Sequence, residues 1–573
     1  MIPQAASQRT TASTDLDRVI GRVADKATEF ARLPIAEKSA LLSSLMPRVS
    51  EVAAAWVAAA CRAKGITPGS PMSGEEWLGG PVVTVRNLRL FRDTLEALRA
   101  NGSAPFGRSV RTRPDGRTAV QIFPTDGIDK ALFAGFSAEI LLQPGLSVDE
   151  AKGKQASFYR GSTPRDGKVA LVLGAGNVSS IPPMDALYKL FVDGEVAVIK
   201  MNPVNEYVGP FIEQAFAPLI DKGYLAVVYG SGDVGKFLVE HPAISSVHIT
   251  GSDKTHDLIV WGPEGAERER RKRENDPLLK KTITSELGNV TPVVLVPGPY
   301  SDAQLWFMAR NVASMVENNG SFNCNAAKML VTSAGWPQKE KFHTLLRKAL
   351  AELPLRKAYY PGAAARYEQL LGGHDRVERF GTPAPGELAW AYVPALDPAS
   401  TAEPLFSVEP FCGILSETEL APADPVEFLA AATRFCNDTL WGTLSCSVIL
   451  HPKHERDATV GAALDKAIAE LRYGTVAINH WSALGYGFVS TPWGGHPSAT
   501  LANIQSGLGW VHNAYMLEGI EKSVVRGPLV VAPKPPWFYD NKVTHLVGEK
   551  MTRFEAAPSW LKVPGIALTA LRG

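Results

Sequence analysis

Five cysteines in 573 residues are too few, and odd in number, for a disulfide framework, and Cys61, Cys324, Cys412, Cys436 and Cys446 lack the CxxC spacing of a zinc or redox site. A reduced, cytoplasmic setting is expected, and no metal. Long hydrophobic runs are missing as well. No stretch approaches the roughly 20 apolar residues that span a bilayer, and the Ser-, Thr- and Gln-rich residues 1–15 lack the basic-then-apolar pattern of a secretory signal. Nor is there an excess of one charge: 59 basic and 58 acidic residues leave a formal +1, which removes the electrostatic argument for a nucleic-acid or acidic-membrane partner. No internal repeat is visible. What is present, 45% hydrophobic and 20% charged residues, suits a globular chain with a sizeable core, long enough for roughly two to four compact units. Small neutral ligands or other proteins remain as partners.

Residues 16–99 read as helices, with Ile35, Leu41, Leu42 and Leu45 at helical spacing. Short strands are expected at 118–123, 140–142 and 156–159, separated by Pro and Gly as in a β arm. From Val169 the pattern becomes buried strand, turn, helix, repeated: strands at 169–173, 195–200, 225–229 and 247–250, helices near 184–192 and 209–220. That alternation predicts an open, mostly parallel sheet, which binds ligands beyond the carboxyl ends of its strands. Residues 264–281 interleave Arg268, Arg270, Arg271, Lys272 and Arg273 with Glu267, Glu269 and Glu274; we read a solvated helical insertion rather than an anion-binding arm. A second α/β lobe is expected from 293–296 onward, with a helix starting near Ser301 and strands at 328–332 and 446–450. The stretch 524–573, with Pro533, Pro535, Pro536, Trp537, Phe538, Tyr539 and Trp560, reads as an extended tail anchored by aromatics.

Three Gly-rich turns follow strands: Gly174-Ala-Gly176-Asn177, Gly230-Ser-Gly232-Asp-Val-Gly235 and Thr250-Gly251-Ser252. The middle one matches GxGxxG, so its amides are suited to a pyrophosphate at a helix N-terminus, although the pattern alone is weak. The ordinary dinucleotide fingerprint places an acid at the end of the second strand. Here that strand ends in Lys200, which can bond a ribose hydroxyl and tolerates a 2′-phosphate, or is simply an exposed strand end.

Cys324 lies in the polar turn Asn318-Asn-Gly-Ser-Phe-Asn-Cys-Asn-Ala-Ala, unlike the apolar settings of Cys436 and Cys446. A thiol in such a loop can ionise and reach a substrate, because the thiolate is the nucleophile; a single cysteine is otherwise a packing residue. Glu286, in Thr284-Ser-Glu-Leu-Gly-Asn289, is either a surface carboxylate or a general base poised by partial burial.

Taken in order, Asn177, Lys200, Thr250-Gly-Ser252, Glu286-Leu-Gly288, Cys324, Glu409-Pro-Phe411 and Pro492-Trp-Gly-Gly495 resemble the aldehyde dehydrogenase superfamily over about residues 20–520, with Glu286 and Cys324 38 residues apart. The resemblance implies an α/β fold with a modified Rossmann cofactor-binding domain (16–145 and 168–288), an α/β catalytic domain (289–491) and a β oligomerisation arm with its C-terminal return (146–167 and 492–523), between a flexible leader (1–15) and a C-terminal extension (524–573). It further implies NAD or NADP as cofactor, an aldehyde substrate and a homodimer or homotetramer. By the same resemblance Cys324 is the nucleophile, Asn177 the oxyanion donor and Glu286 the residue that activates water. Lys200 and Glu409 would hold the riboses, Gly232, Gly235, Thr250, Gly251, Ser252 and Leu287 would border the cofactor, and Phe411 would pack near the nicotinamide.

Departures are visible. Pro203 stands where the family has an acid three positions after the lysine, which leaves NAD and NADP both open. Asn289 replaces the second Gly of the Glu-Leu-Gly-Gly motif, and the loop before Cys324 is one residue longer. Trp306, Phe307, Phe322, Trp481, Tyr486, Phe488 and Trp493 are candidates to line a pocket for a bulky apolar or aromatic aldehyde, or are ordinary core. Two rival readings are a CoA-acylating enzyme, against which Glu286 speaks, and a family-shaped binding protein that has lost catalysis.

Overall fold

The computed structural model describes residues 7–161 and 165–573. Helices Ser13–Arg32, Ile35–Lys64 and Val83–Asn101 form the N-terminal scaffold. Their apolar stripes, among them Leu16, Ile20, Val23, Leu42, Leu45, Val49 and Trp56, are buried in one core with the first parallel sheet. The second helix stops where Gly65 takes the left-handed conformation (φ 71°) that side chains resist.

Next come the arm strands β1 (Ser109–Thr112), β2 (Thr118–Phe123) and β3 (Ser137–Leu142). The expected strand at 156–159 is instead a single helical turn, Ser157–Arg160. The adjacent rings of Phe158 and Tyr159 lack the in-out alternation of a strand, and both pack into one wedge, edge to face with centroids 5.0 Å apart.

Strands β4 (Val169–Leu173), β5 (Val196–Lys200), β6 (Leu225–Val228), β7 (Ser246–Gly251) and β8 (Thr282–Leu287) pair in parallel in the order β6-β5-β4-β7-β8. Strands β4 and β5 are nearly continuous runs of Val, Ala, Leu and Ile because helices cover both faces. The order reverses at β4, so the carboxyl ends of β4, β5 and β7 open a crevice at a topological switch point. The charged insertion is the helix Ala266–Glu274, with no buried residue and ion pairs such as Arg271–Glu267 at 3.0 Å.

The second lobe supplies β9 (Pro292–Leu295), β10 (Met329–Ser333), β11 (Glu378–Phe380), β12 (Trp390–Leu396), β13 (Ile414–Leu420), β14 (Ser445–Ile449), β15 (Thr475–Ile478) and β16 (Ile520–Arg526). These and the arm make one eleven-stranded sheet, β1-β2-β3-β16-β15-β14-β9-β10-β13-β12-β11. The strands expected in an oligomerisation arm thus continue the chain's own sheet: β16 runs parallel to β15 and antiparallel to β3. The described part of the segment 146–167 carries the helices Val148–Lys154 and Ser157–Arg160. At the tip of the β1–β2 hairpin, buried Arg113 donates to the Asp465 carbonyl (2.9 Å) and carboxylate (3.1 Å), clasping the arm to the body.

The C-terminal extension also differs from expectation. Residues 527–543 form neither helix nor strand but a run of bends and turns, and Trp537 and Phe538 dock on the helix Asp302–Glu317, the indole donating to Asn311 at 3.1 Å. The chain then forms two helices, Thr544–Ala556 and Val563–Ala570. Val547, Met551 and Phe554 make a helical stripe that packs on the scaffold around Leu78 and Val82. Trp560 is no anchor; it is 59% exposed. Among the described residues, no helix is long and apolar enough to cross a membrane.

Candidate active site

Cys324 is delivered by a backbone reversal. The helix Asp302–Glu317 opens with a Ser301–Gln304 capping box and ends at Asn318. Three consecutive left-handed residues follow, Asn319 (φ 57°), Gly320 (65°) and Ser321 (66°). Glycine takes that conformation freely, asparagine tolerates it, and a serine there is strained by roughly 1–2 kcal/mol. The strain is held by Lys328, whose buried Nζ donates to the carbonyls of Ser321 (2.9 Å) and Asn323 (3.3 Å). Thr291 Oγ1 donates to the carbonyl of Cys324 itself at 2.9 Å. All five cysteines are free thiols, and Cys324 alone is half-buried while the others are buried.

Asn177 stands past the carboxyl end of β4 and faces this loop, its Nδ2 donating to the Phe322 carbonyl at 2.9 Å. Its own carbonyl accepts from Lys64 Nζ (2.8 Å), Asn319 Nδ2 (3.1 Å) and Tyr359 Oη (3.3 Å). Lys64 also binds Glu76 (2.8 Å) and Asn319 Oδ1 (2.9 Å), and Arg356 bridges Glu75 and Glu317 beside it. Sequence reasoning missed this bracing network. Lys64 ends a scaffold helix and looks like a routine C-terminal basic residue; only its 4% exposure sets it apart.

Glu286, near the end of β8, lies beside Cys324, close enough for the carboxyl and the thiol to shift one another's proton affinity. Burial, aided by the negative charges of Asp185 and Glu409, pushes the Glu286 carboxyl up to about 8. Burial and Glu286 together raise the Cys324 thiol well above its ordinary value. Both groups are therefore neutral at pH 7 in the resting site. Glu286 pairs across the sheet with Thr250 of β7, and Thr250 Oγ1 donates to Asp185 at 2.9 Å, so that hydroxyl points into the protein.

Lys200, Gly232, Gly251, Ser252 and Leu287 lie at the carboxyl ends of the first sheet's strands, whereas Glu409 and Phe411 come from the second lobe, in the connection before β13. Lys200 closes β5 at 8% exposure; burial lowers its ammonium to about 8 against the opposing pull of Asp233 and Glu206. Gly232 opens the helix Gly232–Glu240, with Gly235 in its first turn. Gly251 ends β7, and the Ser252 side chain caps the helix Asp253–Trp261 by accepting from Thr255 N at 3.2 Å. Leu287 is buried, its N–H donating to the Ser506 carbonyl at 3.0 Å. Glu409 lies against Gly288, where a Cβ would collide with its carboxylate. Its Oε1 is buried without a partner. Phe411 takes a left-handed φ of 45° and packs edge to face on Tyr360. An orphaned carboxylate oxygen, a glycine cradle and a lysine at the strand ends fit a ribose-bearing dinucleotide.

Of the aromatics considered for a substrate pocket, Tyr486 and Trp493 cluster with Cys324, and Tyr486 Oη is 2.7 Å from Ser180 Oγ. Two more border the Cys324 loop: Trp481 Nε1 donates to the Asn325 carbonyl at 2.7 Å, and Phe322 packs against Tyr360 and Phe411. The remaining three pack elsewhere: Phe488 stacks on Phe123 in the arm core with centroids 3.8 Å apart, Phe307 meets Phe538, and Trp306 lies under Arg310 and Lys348.

No family model matches the chain. One curated relative, aldehyde dehydrogenase LUC3 of a Fusarium species, is 25% identical over 159 residues. That match spans 26% of this chain and only 32% of the relative's length. Solved structures resemble it over nearly the whole length. Glyceraldehyde-3-phosphate dehydrogenase GapN of Methanocaldococcus jannaschii, complexed with NADP, covers 92% of this chain and 100% of its own, at 13% identity and TM-score 0.60. An aldehyde dehydrogenase of Mycobacterium tuberculosis complexed with NAD+ covers 92% of both chains at 16% identity and TM-score 0.60. A mutant of aldehyde dehydrogenase AldC of Pseudomonas syringae, complexed with NAD+ and octanal, covers 93% of this chain and 94% of its own at 13% identity and TM-score 0.59. The chain thus has the fold of the aldehyde dehydrogenase superfamily.

Proposed function

We propose that this protein is an NAD- or NADP-dependent aldehyde dehydrogenase that oxidises a small-molecule aldehyde to a carboxylic acid through Cys324. The observation that carries the reading is the convergence of Cys324, Glu286 and Asn177 from three separate segments at the mouth of the strand-end crevice. A packing cysteine has no need of a carboxyl neighbour raised to about 8 or of a braced amide bonded to the carbonyl two residues before it.

Glu286, once ionised, takes the thiol proton, and the thiolate adds to the aldehyde carbon. Asn177 uses one Nδ2 hydrogen on Phe322; its second hydrogen is the donor for the developing oxyanion, in a buried site where such a donor counts most. Lys200 and Glu409 would hold the dinucleotide, which would supply the hydride acceptor. The acyl group then remains on sulfur as a thioester; Glu286, once it has passed the first proton to solvent, takes a second from the water that attacks the thioester, which releases the acid and the Cys324 thiolate. The hydroxyl of Tyr486, beside Cys324, borders the space for the substrate.

The test is an assay of aldehydes with NAD and NADP, with and without CoA, on the wild type and Cys324→Ser. Aldehyde-dependent cofactor reduction without CoA, abolished in the variant, is the expected result. An unchanged rate in the variant would remove Cys324 from the reaction.

A further inference from the structure

This inference rests on the cofactor reading above and addresses which dinucleotide the crevice takes. After β5 the chain turns tightly through Asn202-Pro203-Val204-Asn205: Asn205 N donates to the Asn202 carbonyl (3.0 Å) and Val204 N to Asn202 Oδ1 (3.0 Å). Asn205 Nδ2 pins this turn to the Ala175 carbonyl at 2.8 Å, next to the first Gly-rich turn. The residue that follows is Glu206, 8% exposed and turned inward, close enough to Lys200 to raise the lysine's affinity for its proton.

The N-terminal leader fixes that carboxylate. Gln8 N donates to Glu206 Oε1 at 2.7 Å, and Ser7 Oγ donates to Glu206 Oε2 at 2.5 Å. Ser7 N donates to Ser231 Oγ at 3.2 Å, so a single residue bridges Glu206 and the Gly-Ser-Gly turn that opens the helix Gly232–Glu240. The leader is tied down further by Thr11 N donating to the Tyr229 carbonyl (3.1 Å) and Tyr229 N donating to Thr11 Oγ1 (3.1 Å). Glu206 thus sits between the carboxyl ends of β5 and β6, where an open parallel sheet receives the adenosine half of a dinucleotide.

We propose that Glu206, oriented by Ser7 and Gln8, makes this crevice selective for NAD over NADP. A carboxylate there accepts a hydrogen bond from a ribose hydroxyl and repels a 2′-phosphate. Asp233, the other acid whose charge acts on Lys200, adds to that repulsion. The nearest leader cation, Arg9, is spent on the face of the Tyr229 ring, 5.4 Å from its centroid. The acid missing at Pro203 is thus supplied three residues later, from a position that linear spacing does not reveal.

Titration of the full-length protein with NADH and with NADPH, followed by nucleotide fluorescence in the absence of aldehyde, tests this directly. NADH should bind at least about tenfold more tightly than NADPH. Glu206→Gln should narrow the gap by about tenfold, chiefly by tightening NADPH, while Arg9→Ala leaves the ratio unchanged. Should Glu206→Gln fold poorly, a chain lacking residues 1–8 serves instead and should lose part of the preference. Equal or tighter NADPH binding by the wild type, or equal weakening of both nucleotides in Glu206→Gln, would overturn the proposal while leaving the cofactor reading intact. Binding of neither nucleotide would overturn the cofactor reading as well.

Discussion

At the scale of single residues, the account turns on two neutral groups that must exchange a proton. With the Glu286 carboxyl held near 8, the fraction able to accept the thiol proton grows as pH rises. The aldehyde-dependent rate should therefore climb through about pH 8, and Glu286→Gln should abolish that limb as well as lowering the rate. Stability moves the other way. A carboxyl whose folded value is raised from 4.5 to about 8 stays protonated in the native state after the unfolded chain has ionised, so its contribution falls as pH rises through that window. Denaturation of the wild type and Glu286→Gln across that window should show the variant gaining up to about 1.4 kcal/mol per pH unit relative to the wild type. Asn177→Ala should lower kcat by about 10²–10³ with the fold intact, measured by steady-state kinetics beside circular dichroism. Cys324 and Asn177 stand out in the sequence because each sits in a short polar turn after a helix or strand, and Glu286 because it is a carboxylate at the end of one. Lys64 and Asp185 do not, since they act through burial, and burial depends on which distant segments arrive: Lys64 reaches Asn177 across 113 positions.

At the scale of elements, the C-terminal helix Thr544–Ala556 is built into the scaffold by charge. Glu555, fully buried, accepts from Arg86 (2.8 Å) and Arg89 (2.7 Å). Arg86 also grips Asp129 with both terminal nitrogens (3.0 and 2.7 Å) and donates from Nε to the Phe488 carbonyl at 2.9 Å. One guanidinium thus joins the scaffold, the arm, the extension and the loop that carries Tyr486. Burial alone would raise Asp129, but Arg86 more than offsets it and holds the carboxyl near 2. Glu555→Ala leaves two buried guanidiniums short of a partner and should cost about 3–5 kcal/mol, read from a chemical denaturation midpoint. The helix was overlooked because the run of Pro and aromatic residues before it dominates the composition, although Val547, Met551 and Phe554 carry the helical period. The turn at Ser157–Arg160 failed for a related reason: two adjacent aromatics raise strand propensity without supplying alternation.

At the scale of the whole molecule, the strand-and-helix alternation after Val169 announced a parallel sheet, and the switch point beside β4 places the crevice where the motifs converge. The destination of the arm was not legible. Strand patterns fix which face is buried but not whether the next strand belongs to the same chain, and here β3, β16 and β15 pair within it. An oligomer, if formed, has to assemble through surfaces outside that pairing, of which the exposed edge of β1 is one. Because Arg113 clasps the hairpin to Asp465, Arg113→Ala should expose residues 113–117 to limited proteolysis without changing the mass of the assembly in light scattering.

The central claim is that Cys324 becomes covalently bonded to the substrate carbon. Rapid acid quenching of the protein with aldehyde and NAD, followed by peptide mass spectrometry, reads it most directly. The account predicts an acyl adduct on the peptide carrying Cys324, absent from Cys324→Ser and slower to form in Glu286→Gln. Turnover with Cys324 unmodified, or an adduct confined to another cysteine, would contradict it.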